Sequence, residues 1–250
     1  MLGKSLLSSL ASAVAVGGMF AATAIAGPAT ITAAPAIKNV ACQNPNYVGG
    51  KVTQTEVTLD QYVGEFGDPN TAHVDVQSDA GTPNGRARLT VRDERNGQLK
   101  SSRTAPLDAN GEADFPLPNR LRASRTYEVR AFYLPATCEY RRSAGTQYYT
   151  VMKASTNTNV NAPDKNKGQR GQANANVFAP GGPTPNGNVR FRLFKNDNQL
   201  ATRMDSLNGA GNANVTFQKR NRRGQYRVVA RYLGNGNFGS SQDSTTFRVS

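Results

Sequence analysis

Apolar and polar residues alternate along much of the chain, most regularly in Tyr226-Arg227-Val228-Val229-Ala230-Arg231-Tyr232-Leu233-Gly234. There Tyr226, Val228, Ala230 and Tyr232 stand two apart, the period of a strand with one buried face. An earlier copy, Tyr127-Glu128-Val129-Arg130-Ala131-Phe132-Tyr133-Leu134-Pro135, lies 99 residues upstream, which marks a tandem repeat. Turn residues recur in step. Thr82-Pro83-Asn84-Gly85 returns as Thr184-Pro185-Asn186-Gly187, and Leu107 with Asn110-Gly111-Glu112-Ala113 returns as Leu207 with Ala210-Gly211-Asn212-Ala213. Pro, Asn and Gly supply the backbone angles of tight turns, so they separate strands. In repeat two the pattern predicts strands near 154–160, 172–178, 187–194, 199–205, 211–217, 225–233 and 243–249. Seven short strands in about 100 residues, without a helical period, predict an all-β chain folded as β-sandwiches. Repeat one runs over 51–152 and repeat two over 153–250.

The first 26 residues break this pattern. Lys4, an apolar run from Leu6 to Ile25 and Ala24-Ile25-Ala26 before Gly27 form the charge, apolar core and small-residue cleavage site of a secretory signal peptide. Left uncleaved, the run would nearly span a bilayer; its Ala/Gly/Ser content and cleavage signal favour removal. A secreted or extracellular product, with no membrane span in the mature chain, is the expectation. Residues 27–50, Ala- and Pro-rich until Ile37, read as an extended leader. The two cysteines, Cys42 in that leader and Cys138 after the first copy of the key strand, are expected to form a disulfide in an exported chain. Closing a loop of that length is worth about 4 to 5 kcal/mol in the chain-entropy model.

Charge divides the repeats. Residues 27–152 hold 14 Lys/Arg against 13 Asp/Glu, whereas residues 153–250 hold 15 against 4. An anionic partner met through charge would therefore meet repeat two. Catalysis finds little to build on. The chain has one histidine, His73, in a strand-like segment, and a hydrolase triad needs a histidine beside a nucleophile and an orienting acid. No phosphate-cradling Gly-rich loop precedes a helix, and no run of oxygen ligands suits calcium. No enzyme activity, cofactor or metal is expected, although an enzyme or enzyme inhibitor acting through an unrecognised loop stays open.

The order Pro-Asn-Gly-x-Val-x-Phe (Pro185 to Phe191), a strand with Leu200, Gly-x-Ala (Gly211 to Ala213), Gly-x-Tyr-x-Val-x-Ala-x-Tyr-x-Gly (Gly224 to Gly234), then Phe238 and Ser241, resembles the bacterial immunoglobulin-like repeat domains of secreted and cell-surface proteins. The resemblance covers repeat two, and repeat one more loosely, with Leu89 for Phe191 and Pro135 for Gly234. It implies two tandem immunoglobulin-like sandwiches, joined stiffly end to end into a short rod because no Gly/Ser linker separates Val151 from Thr156. It also implies tyrosine corners at Tyr127 and Tyr226, and a core closed by Phe191 or Leu89 in place of a disulfide. Such domains serve as spacers, adhesin stalks or binding modules.

In that arrangement the third, sixth and seventh strands share a sheet, which places Arg190, Arg192, Arg227, Arg231 and Arg248 on one outward face. Lys219, Arg220, Arg222 and Arg223 crowd the loop entering the sixth strand. Planar guanidinium groups suit phosphates and carboxylates. The leading expectation is a structural or adhesive module at the cell surface or outside the cell, with another surface protein as one kind of partner. The alternative is a binder of anionic polymer, whether wall polymer, acidic polysaccharide or nucleic acid. With no aromatic residue counted among those outward positions, sequence-specific reading of nucleic acid is not expected.

Overall fold

A computed structural model describes residues 49–220 and 222–250. The signal peptide, most of the leader and Cys42 lie outside the described residues. All described residues fall within one unit, Asn39–Ser250. They form fifteen strands, and no helix occurs among them.

The first eight strands are β1 (Gln54–Leu59), β2 (Val63–Glu65), β3 (Thr71–Gln77), β4 (Gly85–Asp93), β5 (Leu99–Pro106), β6 (Glu112–Pro116), β7 (Arg125–Pro135) and β8 (Ala144–Met152). They build a sandwich of two sheets, β1-β3-β6 and β2-β8-β7-β4-β5. The other seven are β9 (Asn157–Asn161), β10 (Arg170–Phe178), β11 (Asn188–Lys195), β12 (Asn198–Ser206), β13 (Asn212–Lys219), β14 (Gly224–Tyr232) and β15 (Ser241–Val249). Their sheets are β9-β10-β13 and β12-β11-β14-β15. The seven strands expected in repeat two are all present, with ends shifted by three residues or fewer. Repeat one has an added strand, β2, which runs parallel to β8; repeat two reduces it to a single bridge between Lys165 and Val249.

Alternation decides which side chains close each sandwich. Tyr127, Val129, Ala131 and Tyr133 on β7, and Tyr226, Val228, Ala230 and Tyr232 on β14, all point inward and are buried. Phe191 of β11 and Leu89 of β4 hold equivalent central places, opposite Ala230 and Ala131. A buried tyrosine needs a partner for its hydroxyl. Both corners provide one: Tyr127 donates to the carbonyl of Arg122 at 3.0 Å and Tyr226 to that of Arg222 at 2.7 Å. A second pair went unforeseen. Tyr133 donates to the Asn84 carbonyl at 2.6 Å and Tyr232 to that of Asn186 at 2.7 Å, tying each Thr-Pro-Asn-Gly turn to its core strand. Burial pushes the Tyr133 phenol up to about 12.

The connection between the sandwiches is short and packed. Phe66 meets Phe238 edge to face at 5.4 Å and contributes to both cores. Glu65 accepts from the backbone N–H of Ser155 at 2.8 Å and from its hydroxyl at 2.6 Å, and Asn237 Oδ1 accepts from the N–H of Ala123 at 3.2 Å. Cys138, in the turn after β7, is not a free thiol.

Candidate anion-binding face

The strand β11 places Val189, Phe191 and Leu193 in the core, and Arg190, Arg192 and Phe194 on the opposite side. On β14 the outward set is Gln225, Arg227, Val229 and Arg231. The antiparallel register sets Arg190 opposite Arg231, Arg192 opposite Val229, and Phe194 opposite Arg227. Arg248 of β15 stands opposite Gln225, at the corner of the same face. All five sheet arginines thus share one surface, four of them on adjacent strands. Like charges directly opposite one another, as at Arg190 and Arg231, oppose pairing unless something external balances them.

The face is more than a row of solvated tips. Val229, between Arg227 and Arg231 and opposite Arg192, is only 7% exposed although it faces outward, so its neighbours cover it. The Nε atoms of Arg190 and Arg192 are buried without a hydrogen-bond partner. Among the described residues Arg227 is the one of these five whose guanidinium is ion-paired, its Nη2 lying 3.0 Å from Asp197 Oδ1 with Asp197 almost fully exposed, while Asp164 accepts from the backbone N–H of Arg248 at 2.6 Å. Asp197 sits in the two-residue turn Asn196-Asp197 between β11 and β12, where both residues take positive φ.

Phe194 corrects the expectation that this surface has no aromatic residue. Half-buried and outward-facing, it carries Arg227 at 4.7 Å and Arg192 at 5.7 Å from its ring centroid. Its position was readable: it follows inward Leu193, so the alternation turns it out. The ring already serves two guanidinium groups and orders them.

The loop cations occupy a different place. Lys219, Arg220 and Arg222 line a cleft of about 540 Å³ together with Lys195, Asn196, Asn198, Leu200 and Tyr226. Arg223 does not line it; its carbonyl accepts from Lys195 Nζ at 2.7 Å. Lys195 also stands 4.9 Å from the Tyr226 ring centroid, which in turn stacks on Phe247. Lys195 is the cleft cation that the sequence reading missed.

Repeat one does not repeat this chemistry. At the positions of Arg227 and Arg231 it has Glu128 and Phe132, and Arg88 and Arg130 lie over the Phe132 ring at 5.1 and 4.8 Å. His73, on β3, bridges two carboxylates, with Nδ1 2.7 Å from Asp114 and Nε2 2.9 Å from Asp60. Hydrogen bonds to Asp60 and then Asp114 raise its pKa, and the contact lowers that of Asp60. With both ring nitrogens engaged, His73 clamps Asp60 and Asp114 together across one sheet, and the raised pKa favours its charged form. The outer positions of that sheet, Glu56, Asp75 and Glu112 in one row and Thr58, His73 and Asp114 in the next, are all asparagine in repeat two: Asn159, Asn176 and Asn212, then Asn161, Asn174 and Asn214.

Comparison with known proteins agrees on the second sandwich. Residues 154–250 match the model of the bacterial Ig-like domain (group 3). No curated protein matches the chain. Among solved structures, a tetra-tandem repeat from the extending region of a large adhesion protein aligns at 13% identity and TM-score 0.44, over 80% of this chain and 50% of that one. The native conformation of Escherichia coli α2-macroglobulin aligns at 13% identity and TM-score 0.33, over 78% of this chain and 16% of that one. Its trypsin-activated form gives 12% identity and TM-score 0.35, over 80% and 17%. The chain spans half the length of the first structure and less than a fifth of the other two.

Proposed function

We propose that this chain is an exported, non-enzymatic module of immunoglobulin-like sandwiches that acts structurally and adhesively at the cell surface or outside the cell, and that it adheres by gripping an anionic polymer on the arginine face of repeat two. The carrying observation is the unbalanced face itself: five arginines, one of them ion-paired with an exposed carboxylate, and two with buried Nε atoms that have no partner among the described residues. Burying part of a charged group without compensation costs free energy, which an external anion would recover. The signal peptide at 1–26 and a bridge from Cys42 to Cys138 belong to the same reading, as features of an extracellular protein.

A spacer role alone is the second reading, favoured by the packed joint of Phe66 on Phe238. One comparison separates the two. The mature protein and a variant with Arg190, Arg192, Arg227 and Arg231 changed to Ser are passed over heparin and over isolated bacterial cell wall at low salt. Adhesion through the face predicts retention of the wild type and early elution of the variant; early elution of both leaves the spacer.

A further inference from the structure

The two repeats differ in charge at one equivalent point. In repeat one, Asp93 lies two residues beyond Val91, which pairs with Val129; in repeat two, Lys195 lies two beyond Leu193, which pairs with Val228. Asp93 is 1% exposed and supplies an anion to its own sandwich, with Oδ2 2.6 Å from Arg125 Nη1 and 4.0 Å from Lys100 Nζ. Repeat two has a cation there instead. Around it, Lys219, Arg220 and Arg222 complete a cleft in which no carboxylate takes part. Arg220 Nε is buried without a partner. In short, one sandwich seats a carboxylate beside Arg125 and Lys100, whereas the other has Lys195, Gly224 and Leu200 at those three positions and gathers its cations from the end of β13 and the connection to β14.

We propose that this cleft binds a phosphate group, such as one borne by an extracellular polymer, in the place where repeat one uses its own carboxylate. The proposal rests on the anionic-polymer reading and narrows it to phosphate-bearing chains. Phosphate fits better than a carboxylate for two reasons. Borne as a monoester, it carries close to two negative charges and three strong acceptor oxygens near neutral pH, so it can use donors arriving from several directions. The cleft offers them from three segments: Lys195 at the end of β11, Lys219 at the end of β13, and Arg220 and Arg222 from the connection to β14. A lone carboxylate is satisfied by a single guanidinium fork.

The backbone that carries the arginine donors is also held in place. Tyr226 fixes the carbonyl of Arg222 at 2.7 Å, Lys195 fixes that of Arg223 at 2.7 Å, and the backbone of Gly168 donates to the carbonyl of Arg220 at 3.0 Å. A preformed site loses less entropy when the anion arrives. Asn196 and Asn198 add neutral amide groups at the rim.

The test is calorimetric titration of the mature protein with inorganic phosphate, with acetate as the carboxylate control, on the wild type and three variants. Lys195→Asp restores the carboxylate that repeat one tolerates at the same point, and should weaken phosphate roughly tenfold or more. Arg222→Gln removes a cation while keeping the Lys195 anchor, and should also weaken binding, which covers the case in which Lys195→Asp does not fold. The variant with Arg190, Arg192 and Arg231 changed to Ser, which keeps Arg227 and its Asp197 partner beside the cleft, should lose only phosphate taken up by the face and keep the cleft site. Equal phosphate binding by the wild type, Lys195→Asp and Arg222→Gln, no phosphate binding by the wild type, or acetate binding as tight as phosphate would each overturn the cleft. If those results came with a wild type still held on the anionic matrix by its face arginines, the adhesive reading would stand and this one alone would fall.

Discussion

Replacing Phe191 by Ala tests whether the second sandwich is closed as described. The ring is fully buried between the two sheets, opposite Ala230, in a core that also contains Val189, Leu193, Val228 and Phe217. Truncating a buried Phe removes its transfer free energy and leaves a cavity, together costing about 3 to 5 kcal/mol. Leu89 fills the equivalent place in repeat one, so Phe191→Leu should cost less, about 1 to 2 kcal/mol. Urea unfolding followed by far-ultraviolet circular dichroism reads both. At a slope of about 2 kcal/mol per molar, Phe191→Ala moves the midpoint of the second sandwich down by about 2 M. The two hydrophobic clusters are separate apart from Phe66, so the transition of the first sandwich should stay in place. A midpoint shift below about half a molar, or equal damage from Leu and Ala, would refute the assigned packing.

Three further outcomes are expected. Gly211 has φ +76°, and a Cβ there would meet the Val177 carbonyl oxygen, so Gly211→Ala should destabilise by more than about 1 kcal/mol; Gly209, with open space around it, should accept Ala at almost no cost, and equal effects in urea titrations would contradict this. His73 has a folded-state pKa above its ordinary 6.5, so its contribution is fully present below pH 6.5 and is lost as pH rises through the raised value. Thermal melts of the wild type should therefore fall over that window relative to His73→Gln, and parallel curves would remove the clamp. Alkylation of the unreduced mature protein should find no thiol at Cys42 or Cys138, and two reactive thiols would dismiss the bridge.

Repeat two was legible because nearly every strand alternates cleanly and is bounded by Pro, Asn or Gly, so period and punctuation agree. The strand β2 was not: Val63-Gly64-Glu65 is three residues long and owes its state to parallel pairing with β8, far along the chain. The five sheet arginines could be assigned to one face because strand parity and the order of strands in such sandwiches are enough to do so. Parity also exposes Phe194, which a closer count along β11 would have found. The cleft was beyond such counting. Lys195 and Lys219 meet only because the β11–β12 turn and the β13–β14 connection lie at the same end of the sandwich, and the internal contrast with Asp93 needs the registers of both repeats. The same holds for His73, whose partners Asp60 and Asp114 lie 13 and 41 residues away.

The most direct test of the central claim is the salt dependence of retention on an anionic matrix, for the wild type and for the variant with Ser at Arg190, Arg192, Arg227 and Arg231. Each phosphate-type contact contributes roughly 0.7 to 0.9 to the slope of log affinity against log salt. The account predicts a steep slope for the wild type, reduced by about 3 in the variant. Indistinguishable slopes, or a wild type that never binds, would contradict it.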